Sequence, residues 1–226
     1  MAIPLEQLRL GYLLMSMPLP NTYVGGLMVT DYRGLPVAFQ YTEPIQPNSI
    51  QQILYGQVLS RYIKQEVILD TLMGSLQEDV HCLLVSDDQL LGATLPAKSA
   101  NKIGGKTRVL PPIVRISEPS SANRLSSAGA VSLQAPGDCL LQPTAEANPV
   151  RLQWAVASSG EGGKEAVALL PSNSSASGGN TSESNALPPV INDVLLLACA
   201  TMDLVEPLRR IEKALESICA EAGIKG

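Results

Sequence analysis

The chain has 226 residues, of which 45% are hydrophobic, 16% charged and only 4% aromatic, and its formal net charge is −5. This length allows one generous domain or two small ones, built around an aliphatic core. The negative net charge argues against a protein that binds nucleic acid by neutralising phosphates, so we expect no nucleic-acid partner.

The first twenty residues lack the features of a signal peptide. They have no basic n-region, Glu6 and Arg9 interrupt the apolar run, and the prolines and glycines that follow argue against a membrane span. The four cysteines are scattered without C-x-x-C spacing, which is typical of buried free thiols in a reducing compartment. We therefore predict a cytoplasmic protein without a membrane partner.

Residues 24–42 predict a β-hairpin, after a first strand at 10–17. Two β-rich runs flank the turn Asp31–Gly34, whose glycine suits a tight or bulged turn. In the second run one face is smaller and more polar, and the other carries three bulky apolar side chains: Val37, Phe39 and Tyr41. This pattern predicts a sheet covered mainly on one side.

Residues 48–76 predict one long central helix. Asn48 with Gln51 three residues later fits an N-cap and its capping-box partner, and Gly56 indicates a kink or a break. The apolar stripe begins with seven side chains: Ile50, Ile53, Leu54, Val58, Leu59, Tyr62 and Ile63. Residues 80–86 follow as a nearly continuous apolar run, which predicts a strand buried on both faces.

The core α+β unit is predicted to extend over residues 1–118. Its last part contains a turn at Asp87-Asp88, a short returning strand at 89–94 and a basic loop at 97–108. The run 109–116 predicts an edge strand at best, because Pro111-Pro112 cannot donate hydrogen bonds to a neighbouring strand.

Beyond residue 118 the periodic signal weakens. We interpret 119–149 as irregular, 150–171 as a hairpin, and 172–188 as a disordered linker, because the Ser-, Asn- and Gly-rich tract 172–185 cannot bury enough apolar surface to order itself. Residues 189–226 then return to the core. Within them, 191–200 is a buried strand or a short helix, and periodicity does not decide between the two.

The C-terminal helix is the clearest late element. Asp203 and Glu206 mark its start. One stripe is apolar, formed by Leu204, Leu208, Ile211, Leu215 and Ile218. The opposite side carries Arg209, Arg210, Glu212, Lys213 and Glu216. Because so regular a stripe is not left in water, we expect the helix to pack on its own sheet rather than on a second copy.

No catalytic, cofactor-binding or metal site is predicted. The segment Ala100–Thr107 fits a permissive phosphate-loop pattern, but it lacks the preceding strand and the following helix that phosphate binding requires, so a basic surface loop is preferred. His81 is the single histidine, and its neighbour Cys82 would point to the opposite face of a strand. A hydrogen-bonded structural histidine is the preferred interpretation.

A loose aromatic set surrounds the central unit: Tyr23, Tyr32, Tyr41, Tyr55, Tyr62 and Phe39. We interpret it as core packing, with hydroxyl groups that reach the boundary of the core. The alternative is a rim around a groove.

Two segments of the chain resemble known protein families. The segment Phe39–Pro44, which reads F-x-x-T-x-P, and the I-L-Y-G at Ile53–Gly56 resemble an uncharacterised bacterial family. The hairpin MVTDYRGLPVAF at Met28–Phe39 is similar to the sheet start of roadblock and longin domains. The second resemblance implies a small α+β module that makes protein–protein contacts, often as a dimer.

These observations predict an α+β fold with a small antiparallel or mixed sheet, the long central helix, the C-terminal helix and a disordered insertion. For function we expect a non-catalytic adaptor or scaffold that binds an unidentified protein partner, and we leave a homodimer open. The alternative is a small-molecule-binding or catalytic domain with a pocket near His81 and the tyrosine-rich rim. The sequence favours a protein that is not an enzyme, without deciding the point.

Overall fold

A computed structural model of the chain describes residues 4–91, 93, 111–119, 131–142, 149–156 and 189–223. Within these residues eight strands form one mixed sheet in the order β3-β2-β1-β4-β5-β8-β7-β6. The strands are β1 Leu10–Leu19, β2 Thr22–Thr30, β3 Pro36–Tyr41, β4 Cys82–Val85, β5 Ile113–Ser117, β6 Val131–Ala135, β7 Asp138–Leu141 and β8 Val150–Gln153. The predicted α+β class with a mixed sheet is confirmed.

Strand direction changes at the centre of the sheet. β1, β2 and β3 form an antiparallel meander, whereas β4 pairs parallel to β1 and β5 pairs parallel to β4. The remaining strands, β8, β7 and β6, add on in antiparallel fashion. The carboxyl ends of β1, β3, β4 and β5 therefore meet at the same edge of the sheet.

Helices pack on both faces of the sheet. The helical tract between β3 and β4 consists of α1 Ser49–Tyr55, α2 Leu59–Tyr62, a π-helical stretch Ile63–Ile68 and α3 Leu69–Ser75. The other face is covered by α4 Pro189–Cys199 and α5 Glu206–Glu221.

Two hydrophobic cores lie on the two sides of the sheet. Leu13, Leu27 and Val85 pack with the helical tract on one side. Tyr12 and Leu84 pack with α4 and α5 on the other. The expectation of a sheet covered mainly on one side is therefore wrong, because alternating side chains of β1, β2 and β4 are apolar on both faces.

Gly25 and Gly26 lie at the point where the two helical layers come closest to β2. A Cβ atom on Gly25 would lie 2.3 Å from Cγ2 of Ile68, and one on Gly26 would lie 2.8 Å from Cγ2 of Ile211. Since neighbouring residues of a strand face opposite sides, the pair opens space for one helix on each face. Glycine is needed here for close approach.

The helical tract is broken where the sequence predicted a break. Asn48 accepts a hydrogen bond from the Gln51 N–H, and the Gln51 side chain accepts one from the Asn48 N–H, which confirms the capping box. Gly56 has φ +50, a conformation that favours glycine, and it ends α1.

The apolar stripe of the tract is buried only after this break. Leu59, Ile63 and Leu69 are buried, but Ile53 and Leu54 in α1 are 80% and 75% exposed. The prediction that the whole stripe faces the core is therefore wrong for α1, and also for Val58 and Tyr62, which are 50% and 41% exposed. The turn at Gly56 changes the direction of the chain and carries α1 away from the sheet.

Three predictions for the middle of the chain are wrong. Residues 88–90 form a short 3-10 turn instead of a returning strand, and Asp87 caps it by accepting a hydrogen bond from the Gln89 N–H. β5 is an interior strand between β4 and β8, because Pro111-Pro112 precede it rather than interrupt it. The segment predicted as irregular, 119–149, contains the hairpin of β6 and β7, whose turn uses Gly137 at φ +76.

The segment 191–200, for which the sequence allowed either a strand or a helix, is helical. Residues 191–200 lie almost wholly within α4, and α5 buries Leu208, Ile211 and Leu215 against the sheet. The prediction that the C-terminal helix belongs to the core is confirmed. The disordered tract 172–185 and the return strand of the predicted 150–171 hairpin lie outside the described residues.

We predict that Gly26→Ala lowers the free energy of unfolding by about 1–3 kcal/mol, because the new methyl group overpacks a β-branched side chain held in a helix. The control is Gly74→Ala in α3, where no atom lies within 4 Å of the added Cβ. That change should be neutral or stabilise by about 0.5–1 kcal/mol. Urea unfolding measures both, and equal destabilisation by both variants would contradict this packing.

We predict that Leu215→Ala lowers the free energy of unfolding by about 2–5 kcal/mol, since the side chain is fully buried beside Gly26. Lys213→Ala, on the exposed side of α5, should change it by no more than about 0.5 kcal/mol. Chemical denaturation of the two variants in parallel checks this. A similar cost for both would mean that α5 does not dock through this stripe.

Candidate functional site

A row of polar side chains lies where the sheet extends beyond the helical tract. Val114 and Ile116 of β5 face the α4–α5 side, so Arg115 points to the opposite face, beside Val85 of β4. Arg115 pairs in register with Gln153 of β8, which in turn pairs with Asp138 of β7. On this face β4 is apolar, whereas β5, β8 and β7 together carry polar side chains as well as apolar ones.

These side chains form one connected network, which we call the polar ledge: Arg115, Asp138, Arg151 and Gln153. Arg115 donates from Nε to the Ser86 carbonyl at 3.0 Å and from Nη1 to Oε1 of Gln153 at 2.5 Å. Gln153 donates from Nε2 to Oδ2 of Asp138 at 3.2 Å. Arg151 donates from Nε to Oδ1 of Asp138 at 2.9 Å and also from Nη2 to Oδ2.

The ion pair within the ledge changes the pKa of both partners. The hydrogen bond from Arg151 lowers the pKa of Asp138 and outweighs the opposing effect of burial. The same hydrogen bond raises the pKa of Arg151. Both groups are therefore charged across the physiological pH range, and Arg151 stays 45% exposed.

A second ion pair borders the ledge at the end of β4. Lys64 Nζ lies 2.6 Å from Oδ2 of Asp87. Burial raises the pKa of Asp87, but hydrogen bonds from Lys64 and from the Gln89 N–H outweigh it, so the net shift is downward. This ion pair thus connects the helical tract to the carboxyl end of β4, beside Arg115.

Chemically, the ledge presents guanidinium groups on rigid strands. Arg115 uses two of its N–H donors for Ser86 and Gln153, and a guanidinium has five. The planar fork that remains suits bidentate contact with an oxyanion such as phosphate or carboxylate. The arrangement can bind an anion. Among the described residues, no group of three or more histidine, cysteine or acidic side chains is arranged to hold a metal ion.

His81 lies away from the ledge, at the start of β4. Its ring Nδ1 accepts a hydrogen bond from the backbone N–H of Arg9 at 3.2 Å, and the backbone N–H of His81 donates to the Arg9 carbonyl at 3.0 Å. Cys82 is buried in the α4–α5 core, and burial raises the pKa of its thiol to about 12. The two side chains do not act together. This agrees with a hydrogen-bonded structural histidine.

The aromatic set does not form a single rim, and the preferred interpretation as core packing is wrong for four members that are 38–52% exposed: Phe39, Tyr41, Tyr55 and Tyr62. Tyr23 is buried against the helical tract, whereas Tyr55 and Tyr62 stack on each other with ring centroids 4.9 Å apart. Phe39 and Tyr41 lie on the exposed edge strand β3, with centroids 6.0 Å apart. The phosphate-loop-like segment 100–107 lies outside the described residues.

Sequence reasoning missed the ledge. Its residues stand on strands of four or five residues, two of which lie in segments interpreted as edge or irregular structure. The available signal was the alternation of polar with apolar residues in I-V-R-I-S and V-R-L-Q. Which polar residues meet depends on the strand order, which four-residue strands do not encode.

Comparisons with known proteins give distant similarity only. No family model matches the chain, and no curated protein matches it, so the resemblance to a bacterial family stays a prediction. A structure of human endonuclease V is similar over 95% of this chain and 86% of its own, with 13% identity and a TM-score of 0.49.

Two further structures contain nucleic acid. Marinitoga piezophila Argonaute with a guide RNA matches 66% of this chain and 22% of its own, at 11% identity and a TM-score of 0.34. Ciona intestinalis endonuclease V with a 23mer DNA matches 65% and 70%, at 7% identity and a TM-score of 0.34. At these values the similarity assigns no activity to this chain.

These neighbours nevertheless correct three predictions. They include endonucleases. This contradicts the prediction of a non-catalytic adaptor or scaffold and the expectation that the protein is not an enzyme. It agrees better with the alternative prediction, a small-molecule-binding or catalytic domain. They include complexes with RNA and DNA, which contradicts the exclusion of nucleic acid as a partner. None of the three is a roadblock or longin domain. The net charge averages over the whole chain, so it does not exclude a local basic surface.

We predict that Asp138→Asn destabilises the fold at neutral pH by about 1.5–3 kcal/mol, because a charged hydrogen bond to Arg151 is lost. The folded pKa of Asp138 is depressed, so its contribution is present above the unfolded pKa of about 3.9 and is lost as pH falls through the folded pKa. The variant should therefore lose less stability than the wild type between neutral and acidic pH.

Urea unfolding at pH 7 and near pH 3 checks this prediction. The control is Asp193→Asn, which changes an exposed carboxylate on α4 and should leave the pH dependence unchanged. If Asp138→Asn has the same pH dependence as the wild type, the ion pair contributes nothing to stability.

Proposed function

We propose that this chain binds nucleic acid, with phosphate groups contacting the face of the sheet that carries the polar ledge. The observation that supports this is the uneven distribution of charge. Residues 89–117, which lead from β4 into β5, contain five of the 16 Lys and Arg residues and none of the 21 Asp and Glu residues. The remainder of the chain therefore carries a net charge of −10.

Arg115 connects this basic stretch to the ledge. It is the last of the five cations and the one whose position is described, anchored at the Ser86 carbonyl and at Gln153. Arg151 lies on the neighbouring strand with an exposed guanidinium. Guanidinium groups fixed on strands lose little freedom when they bind phosphate, and local positive potential attracts a polyanion even when the net charge is negative.

We further propose the cytoplasm as its compartment. All four cysteines are free and buried, as suits a reducing environment. Among the described residues, no helix has the length and apolar character needed to cross a bilayer.

Fluorescence anisotropy with labelled single- and double-stranded oligonucleotides of DNA and RNA tests the proposal. We expect binding at low salt that weakens as salt rises. The slope of log affinity against log salt should be about −0.7 to −0.9 for each phosphate contact. Changing Lys98, Lys102, Lys106 and Arg108 together to glutamine should weaken binding and flatten this slope.

The matched control changes four other cations to glutamine: Arg33, Arg61, Arg209 and Lys213. All four are exposed and none belongs to the basic stretch, so both variants have the same net charge. We expect the control to retain most of the affinity. Equal loss in both variants would show only a general charge effect, and absence of binding by the wild type at low salt would refute the proposal.

A further inference from the structure

A groove of about 500 Å³ lies at the opposite end of the sheet from the polar ledge. Its walls are the end of β3, the segment that follows it, and the last turn of α5. The lining residues are Tyr41, Glu43, Pro44, Gln46, Ile218 and Ala222. This groove is separate from the site proposed above for nucleic acid.

Tyr41 provides an aromatic wall. It stands on edge strand β3 and is 52% exposed. Phe39, two residues earlier on the same face, lies beside it with ring centroids 6.0 Å apart. An exposed ring face carries the negative part of the aromatic quadrupole and therefore attracts cations.

Two further features make the groove electronegative. Glu43 is exposed, and no Lys or Arg of the described residues forms an ion pair with its carboxylate. The groove is also lined by the carboxyl end of the 16-residue helix α5, whose final turn contains no basic residue. The last carbonyl groups of a helix carry partial negative charge.

The remaining walls accept hydrogen bonds or are apolar. Gln46 donates a hydrogen bond from Nε2 to the Thr22 hydroxyl at 3.2 Å. Its amide oxygen takes no part in that hydrogen bond and can accept one from a ligand. Pro44 and Ile218 add apolar surface. A ligand that fits all these groups has a positively charged donor and a short hydrocarbon stem.

We propose that this groove binds a small organic cation, namely a primary alkylammonium compound. The ammonium group lies between the ring of Tyr41 and the carboxylate of Glu43, and its stem contacts Pro44 and Ile218. A nucleotide would place its phosphates beside an unpaired carboxylate and a helix carboxyl end, and both repel anions.

Titration calorimetry of the full chain with cadaverine tests this inference. We expect saturable binding with a dissociation constant on the order of 1 mM, as suits an open groove with few contacts. Glu43→Gln and Tyr41→Leu should each weaken binding by about three- to tenfold, the factor expected for one exposed charge or cation–π contact. Tyr41→Phe keeps the ring and should bind like the wild type.

Three controls make the outcome decisive. Glu66→Gln removes an exposed carboxylate on the helical tract and should leave affinity unchanged. The neutral analogue 1,5-pentanediol should not bind, because it has the stem of cadaverine without either charge. Thermal unfolding of each variant shows whether it is folded.

Binding of cadaverine that is insensitive to Glu43→Gln would overturn the proposal. So would equal binding of 1,5-pentanediol, or no saturable binding by the wild type. A lysine-containing peptide that binds far more tightly than cadaverine would instead assign the groove to a protein side chain, and would also overturn the small-molecule proposal. None of these results depends on nucleic-acid binding, so the two proposals fail separately.

Discussion

Close packing of helices against both faces of β2 is the constraint on which this fold depends. Gly25 and Gly26 leave no side chain where Ile68 approaches from one side and Ile211 from the other. Each glycine in a strand interior costs backbone entropy and packing. That cost is offset because both helical layers can then bury their apolar stripes against the central strands.

The same packing determines where polar groups can stand. The helical tract covers one face of the central strands. Beyond β4 the same face carries the polar side chains of Arg115, Gln153 and Asp138. Polar groups in a partly buried place require hydrogen-bond partners, and each side chain in the ledge provides one for the next. The network thus joins β5, β8 and β7 on the face opposite to the one that packs against α4 and α5.

Charge is distributed unevenly along the chain. The stretch that leads into β5 is rich in cations and contains no carboxylate, whereas Glu43, which forms no ion pair with the described residues, follows β3 and lies beside the carboxyl end of α5. A net charge of −5 conceals this uneven distribution, because the positive charge of the stretch offsets part of the negative charge of the remainder. Local potential, rather than the sum, decides which ligands approach each surface.

The sequence by itself determined the elements whose signals are local. The capping box at Asn48, the break at Gly56 and the apolar stripe of α5 all follow from spacing within one turn or one helix. Only the tertiary structure decided that α1 points its apolar side chains into solvent, that β5 is an interior strand, and that Arg115 meets Gln153. Those outcomes depend on the direction of the chain after a turn and on the pairing of strands distant in sequence, and short-range periodicity contains neither.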